Sequence, residues 1–153
     1  MDYGIDEIFE MLNIKNEKNI QQKGIKEGKK IEYMSILFRP VETQDIWENC
    51  AKIITSKDKE VVSKYYYELL HWLENANWPG YNIVIEYMKK ISKLELYKIY
   101  GVCIKEAQRE RKIEWLNNLI SLLEKNDMYN YLTSEEKTII NKYKIEKGKK
   151  YEY

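Results

Sequence analysis

From Ile5 to Tyr143 apolar side chains recur at intervals of three and four, and nowhere do they alternate over a convincing strand length. That spacing lays an apolar stripe along each of a series of helices, which must then bury their stripes against one another. Residues 35–38 are the only strand candidate. The predicted class is all-α. At 153 residues the chain fits a single domain, 1–153, large enough to bury a core without disulfides.

The stripes and their caps divide the chain. Ile5, Ile8, Phe9 and Leu12 give about two turns, too short to persist without docking. Ile20, Gly24, Gly28 and Ile31 give the helix predicted at 17–33 a thin row. A glycine inside a helix costs about 1 kcal/mol, so two on one face predict the close approach of a neighbour. Met34 to Pro40 reads as irregular, because Pro40 disfavours helix at Arg39. Thr43 caps a helix at 44–55, and Asp58 caps the longest helix, 59–75, with Val62, Tyr65, Tyr66, Leu69 and Leu73 inward. Ser92 to Glu95 and Thr133 to Glu136 fit the capping box, in which two side chains satisfy each other's backbone N–H groups. The first splits 79–107 into two helices. The second opens the last one, and residues 148–153 read as a frayed tail.

The centre of the chain is His71-Trp72-Leu73-Glu74-Asn75-Ala76-Asn77-Trp78-Pro79-Gly80. One helical pattern runs into this stretch and another leaves it, so it reads as the tight corner of a helical hairpin. Pro79 suits the first turn of a helix, where its missing N–H costs nothing. Trp72 and Trp78 would pin the two helices, and Gly80 would let them approach. An echo supports repetition: Trp47-Glu48-Asn49 returns as Trp115-Leu116-Asn117, each near a helix start. The offset is twice a common helix–turn–helix period. Helical hairpins stacked side by side would give a HEAT-like superhelix of about three hairpins, and a compact helical bundle is the alternative.

Charge excludes more than it assigns. With 26 Lys+Arg against 25 Asp+Glu, no global field favours nucleic acid or membrane. The distribution is uneven, since residues 41–77 hold seven acids and four lysines while 15–30 hold six lysines and two acids. No apolar run reaches the roughly 18 residues of a membrane span. Cys50 and Cys103 each lie in an apolar row and read as free buried thiols. With no signal peptide in front, the chain is expected to be cytoplasmic. One histidine and two separated cysteines do not make a usual zinc set, and no phosphate-binding glycine motif occurs. No catalytic residue, metal or cofactor is expected.

Two segments carry a resemblance. Trp47-Glu48-Asn49-Cys50-Ala51-Lys52-Ile53 and Leu69 to Tyr81 resemble a family of small bacterial proteins known only as a domain of unknown function. Its members read W-E-N-C-A-K-I-L and then L-L-E-W-L-Q-D-x-N-W-P-G-A. Lys23-Gly24-Ile25 and Trp115-Leu116-Asn117-Asn118 look like family positions too, so the likeness spans about 20–125. The chain departs at His71, Glu74, Asn75 and Tyr81. The resemblance implies a HEAT-like helical fold and no activity, in a size and style similar to immunity proteins of bacterial toxin systems.

The expectation that follows is a non-enzymatic protein-binding module, most concretely an immunity protein that masks a basic toxin domain. Its partner-binding residues would be Glu48, Glu68, Glu74, Asn75 and Asn77. Trp47, Asn49, Trp72, Trp78, Pro79, Gly80, Trp115 and Asn117 would form the structural motif. A helical repeat that associates with nucleic acid through the flanking lysines, or a purely structural scaffold, is the alternative.

Overall fold

In the computed structural model, which describes residues 3–149, the helical periodicity becomes an all-α fold. In chain order the helices are α1 (Ile5–Met11), α2 (Lys18–Gly28), α3 (Trp47–Ser56), α4 (Lys59–Val62), α5 (Tyr66–His71), α6 (Tyr81–Lys89), α7 (Lys93–Arg109), α8 (Ile113–Asn126) and α9 (Ser134–Lys149). Short 3₁₀ turns fill several joints, and no strand occurs among the described residues. Residues 35–38 fall within or beside the 3₁₀ turn Met34–Leu37. One contiguous core runs from Ile8 to Ile140. No helix among the described residues is long and apolar enough to cross a membrane.

Packing follows the chain locally. α1 lies on α2, α2 on α3, α3 on α6, α5 on α7, and α7 on both α8 and α9. The glycines of α2 behave as their spacing predicts. A Cβ on Gly24 would stand 2.8 Å from that of Met11, and one on Gly28 would collide with Ile53. The stripe is therefore bare because two helices press on it. α2 ends at Gly28, five residues short of the predicted end, where the Lys57 ammonium donates to the carbonyls of Lys29 and Ile31. The Lys29 carbonyl, at the C-cap, is one of the acceptors a helix end leaves open, and the Ile31 carbonyl lies just beyond it.

The segment predicted as the longest helix, 59–75, is instead broken. α4 and α5 are separated by the 3₁₀ turn Ser63–Tyr65, and a second such turn, Trp72–Glu74, follows α5. The Ser63 hydroxyl donates to the carbonyl of Glu60, and Tyr65 leaves helical geometry at φ −120°. The ring of Tyr65 then stacks on Phe38 at 5.1 Å. Among the described residues the longest helix is α7. Its predicted start holds, with the Ser92 hydroxyl accepting from Leu94 N, while Glu95 turns away to pair with Lys59 at 2.9 Å. At Thr133–Glu136 the full reciprocal box forms, with bonds of 3.1 and 3.2 Å. Thr43 caps a 3₁₀ turn, Gln44–Ile46, that leads into α3. Gly148 and Lys149 of the expected frayed tail belong to α9, and 150–153 lie outside the described residues.

Candidate functional site

The tryptophan echo is a pair of indole clamps on backbone carbonyls, one near the end of α5 and one in the irregular segment between α2 and α3. Trp115, fully buried at the start of α8, donates its indole N–H to the carbonyl of Leu70 at 2.8 Å. Trp47, at the start of α3, donates to the carbonyl of Pro40 at 2.7 Å. Each is joined by a buried asparagine that reaches the end of an earlier helical segment: Asn49 Nδ2 to Leu12 O and Asn118 Nδ2 to Leu73 O, both 2.7 Å. The counterpart of Asn49 is thus Asn118, one residue beyond the Asn117 that the echo proposed. Asn117 instead accepts from Tyr143 and Lys147 of α9. Carbonyls at helix ends lack internal partners, and leaving one buried without a donor costs about 1–3 kcal/mol. The segment 59–74 lies between the clamps, since Trp47 meets Trp72 edge to face at 6.1 Å and Trp115 meets His71 at 4.3 Å.

The corner is built on Gly80. Its φ of +86° is left-handed, and a Cβ there would stand 3.0 Å from both Ala51 Cβ and Trp72 Cζ2. Glycine is required twice over, for the backbone and for the space. Gly80 also sets the start of α6 at Tyr81, so Pro79 precedes the helix and does not open it. The Pro79 carbonyl accepts from the Trp72 indole at 3.0 Å. Asn75 Oδ1 accepts from Asn77 N at 2.8 Å and the Asn75 carbonyl accepts from Trp78 N, so Asn75 forms the turn and leaves Asn77 exposed at its tip. Trp78 is only partly buried, edge to face with Trp47 at 5.6 Å and covered by the Arg39 guanidinium at 4.9 Å.

Beside the corner lies a half-buried charged recess that periodicity did not reveal. His71 sits between two carboxylates: Nδ1 is 2.9 Å from Glu74 and Nε2 is 3.3 Å from Glu106 of α7. Glu106 also accepts from the Tyr67 hydroxyl at 2.7 Å, and Glu74 accepts from Lys112 at 2.7 Å. Arg39 approaches Glu74 at 3.8 Å. Both nitrogens of His71 are occupied by the protein itself, so the ring is an organiser of the recess with no free nitrogen for a substrate. Burial works to raise the Glu74 carboxyl, but the hydrogen bonds from Lys112 and His71 outweigh it and hold the group below its ordinary value. The Tyr67 hydroxyl is pushed up to about 12, first by its hydrogen bond to Glu106 and then by burial.

Glu68 lies one turn before His71 on α5. Burial raises the Cys103 thiol well above its ordinary value, and the charges of Glu106, Glu74 and Glu68 all add to the shift. Glu68 Oε2 is buried and has no hydrogen-bond partner, and neither has Arg39 Nε. Of the residues expected to bind a partner, Glu74 lies in the recess, Glu68 lies two turns before it in the same segment, Asn75 and Asn77 lie at the adjoining corner, and Glu48 is exposed on α3. Glu106, Arg39, Lys112 and Tyr67 were missed. Their signal was absent from the sequence because they come from three separate segments, each ordinary by itself. Cys50, raised to about 12 by burial, is an inert core thiol. Among the described residues no group of three His, Cys, Asp or Glu side chains is arranged to hold a metal.

A helical protein with paired indole clamps and a charged recess at its central corner is the class defined by this geometry. Comparison with family models then places the chain: residues 42–147 match a domain of unknown function, DUF5071, and the chain belongs to that family. The match begins beyond the Lys23–Ile25 segment and extends past residue 125, so it is shifted from the 20–125 expected. α1 and α2 lie outside it. Neither a curated protein nor a solved structure matches the chain.

Proposed function

We propose that this chain is a non-enzymatic, cytoplasmic protein-binding module whose recess and corner receive a basic protein domain, most concretely a cognate toxin domain masked by an immunity protein. The observation that carries this reading is Glu68 Oε2, buried without a partner on the helix that also carries His71. An unsatisfied carboxylate oxygen in a half-buried site costs stability until a donor arrives, and a cationic side chain of a partner supplies that donor. The rim supports the same reading. Trp78, Arg39 and Tyr67 are of the types that dominate protein interfaces, and they stand partly buried and already oriented. Stacked helical hairpins would present this corner on one concave side.

The test is kinetic. A small basic protein domain is titrated against the wild type and the Glu68→Gln/Glu74→Gln variant at low salt. Neutralising two acids that face a basic partner should slow association several-fold and steepen nothing else. Association rates equal in both proteins at low salt overturn the acidic-site reading, and capture of bare DNA or RNA with a steep salt dependence would favour a nucleic-acid role.

A further inference from the structure

Arg39 is held in its place at a cost. Its φ of +49° is left-handed, an uncommon conformation for a side chain other than glycine, and it immediately precedes Pro40. The backbone has little choice there. Leu37 is fully buried on one side, Phe38 packs on Tyr65 and Trp72, and the Pro40 carbonyl on the other side is fixed by the Trp47 indole. The side chain is delivered over Trp78 and toward Glu74, yet its bonding there is incomplete. The guanidinium stands 3.8 Å from Glu74, beyond a good charge-assisted hydrogen bond, and Nε has no partner. Burial lowers the affinity of Arg39 for its proton, and Glu74 opposes this only in part. A strained residue with an unmet donor, paired only loosely with its carboxylate, is the pattern of a site that is held open for exchange.

Resting on the reading above, we infer that Arg39 is a resident plug in the cation-binding subsite of the recess, occupying the place that an arginine or lysine side chain of the basic partner takes on binding. The helices need not move. Leu37 and Pro40 stay anchored while the Arg39 side chain swings out to solvent, and the incoming side chain takes the Trp78 face and the Glu74 carboxylate. Arg39 thereby sets a threshold, because any incoming cation competes with an intramolecular one already at high effective concentration.

A hexa-arginine peptide serves as the probe, with binding followed by tryptophan fluorescence and calorimetry at low salt. Four variants are compared with the wild type. Arg39→Gly removes the plug and also relieves the left-handed backbone, so it should fold and should bind the peptide about tenfold more tightly. Arg39→Lys keeps a cation in place and should lie near the wild type. Lys52→Ala removes the same charge from an exposed position on α3 and should change affinity less than twofold. Glu74→Gln combined with Arg39→Gly should lose the gain. If Arg39→Gly binds no better than the wild type, or no better than Lys52→Ala, the plug is overturned, while Glu74-dependent binding in the same series would leave the protein-binding reading standing. Absence of saturable binding to every variant overturns the plug and the cationic partner together.

Discussion

Trp115 and Trp78 both lie where one helical segment gives way to the next, and the structure treats them oppositely. Trp115 is fully buried, its indole N–H is spent on a helix-end carbonyl, and Asn118 beside it secures the next carbonyl of the same segment. Trp78 is partly exposed, and its outer face is covered by a strained arginine with an unmet donor. The first is a closed device in which the indole and the asparagine amide both donate to backbone carbonyls. The second is closed only by a side chain that can leave. The Trp115 indole is spent on holding the fold together, whereas Arg39 over Trp78 keeps a donor without a partner.

The comparison breaks most clearly on stability. Trp115→Ala removes a fully buried indole and leaves the Leu70 carbonyl without its donor, so it should cost about 3–5 kcal/mol in a denaturant titration. A loss below about 2 kcal/mol would show that the clamp is dispensable. Gly80→Ala should come next, at about 2–3 kcal/mol, since a Cβ at positive φ must also displace Ala51 and Trp72. Trp78→Ala should cost only about 1–2 kcal/mol, because the ring is only partly buried. If Trp78→Ala equals Trp115→Ala in the same titration, the contrast between closed and open sites is wrong.

The smallest effect sharpens the recess itself. The Tyr67 hydroxyl is raised in the folded protein to about 12, above its ordinary value of 10.0. The neutral phenol is therefore the form the fold favours. Its contribution is fully present below about pH 10 and is lost as pH rises through about 12. Tyr67→Phe should cost about 1 kcal/mol at neutral pH. The gap between the two proteins should narrow steadily from pH 10 to pH 12 in thermal melts. A gap that stays constant over that range would mean that the Tyr67–Glu106 bond contributes nothing in solution.

How much was legible beforehand differs from element to element. The helices whose stripes are long and whose ends carry side-chain caps, α7 and α9, begin where the sequence puts them, because a capping box is a local bond among residues three apart. The bare face of α2 was legible for the same kind of reason: glycine costs too much in a helix to stand there without a neighbour. The helix at 59–75 was misread because periodicity is blind to backbone geometry. Val62, Tyr66, Leu69 and Leu73 are all buried as their spacing requires, while Ser63 and Tyr65 tighten the turns between them. The Trp–Asn echo was seen one residue out of register, since the asparagine that matters is chosen by which carbonyl it can reach.

The sequence by itself determined the all-α class, the core stripes, the caps and the position of the central corner, all of which depend on interactions a few residues apart or on the plain need to bury apolar surface. The tertiary structure alone decided the recess. Arg39, Glu68, His71, Glu74, Glu106 and Lys112 come from segments up to 73 positions apart, as Arg39 and Lys112 show. Each of these charges would be an ordinary solvated group on an isolated helix. Only when α5 meets α7 under the Met34–Pro40 segment are they taken partly out of water, where a carboxylate without a donor has a cost and thus a direction in which to seek a partner.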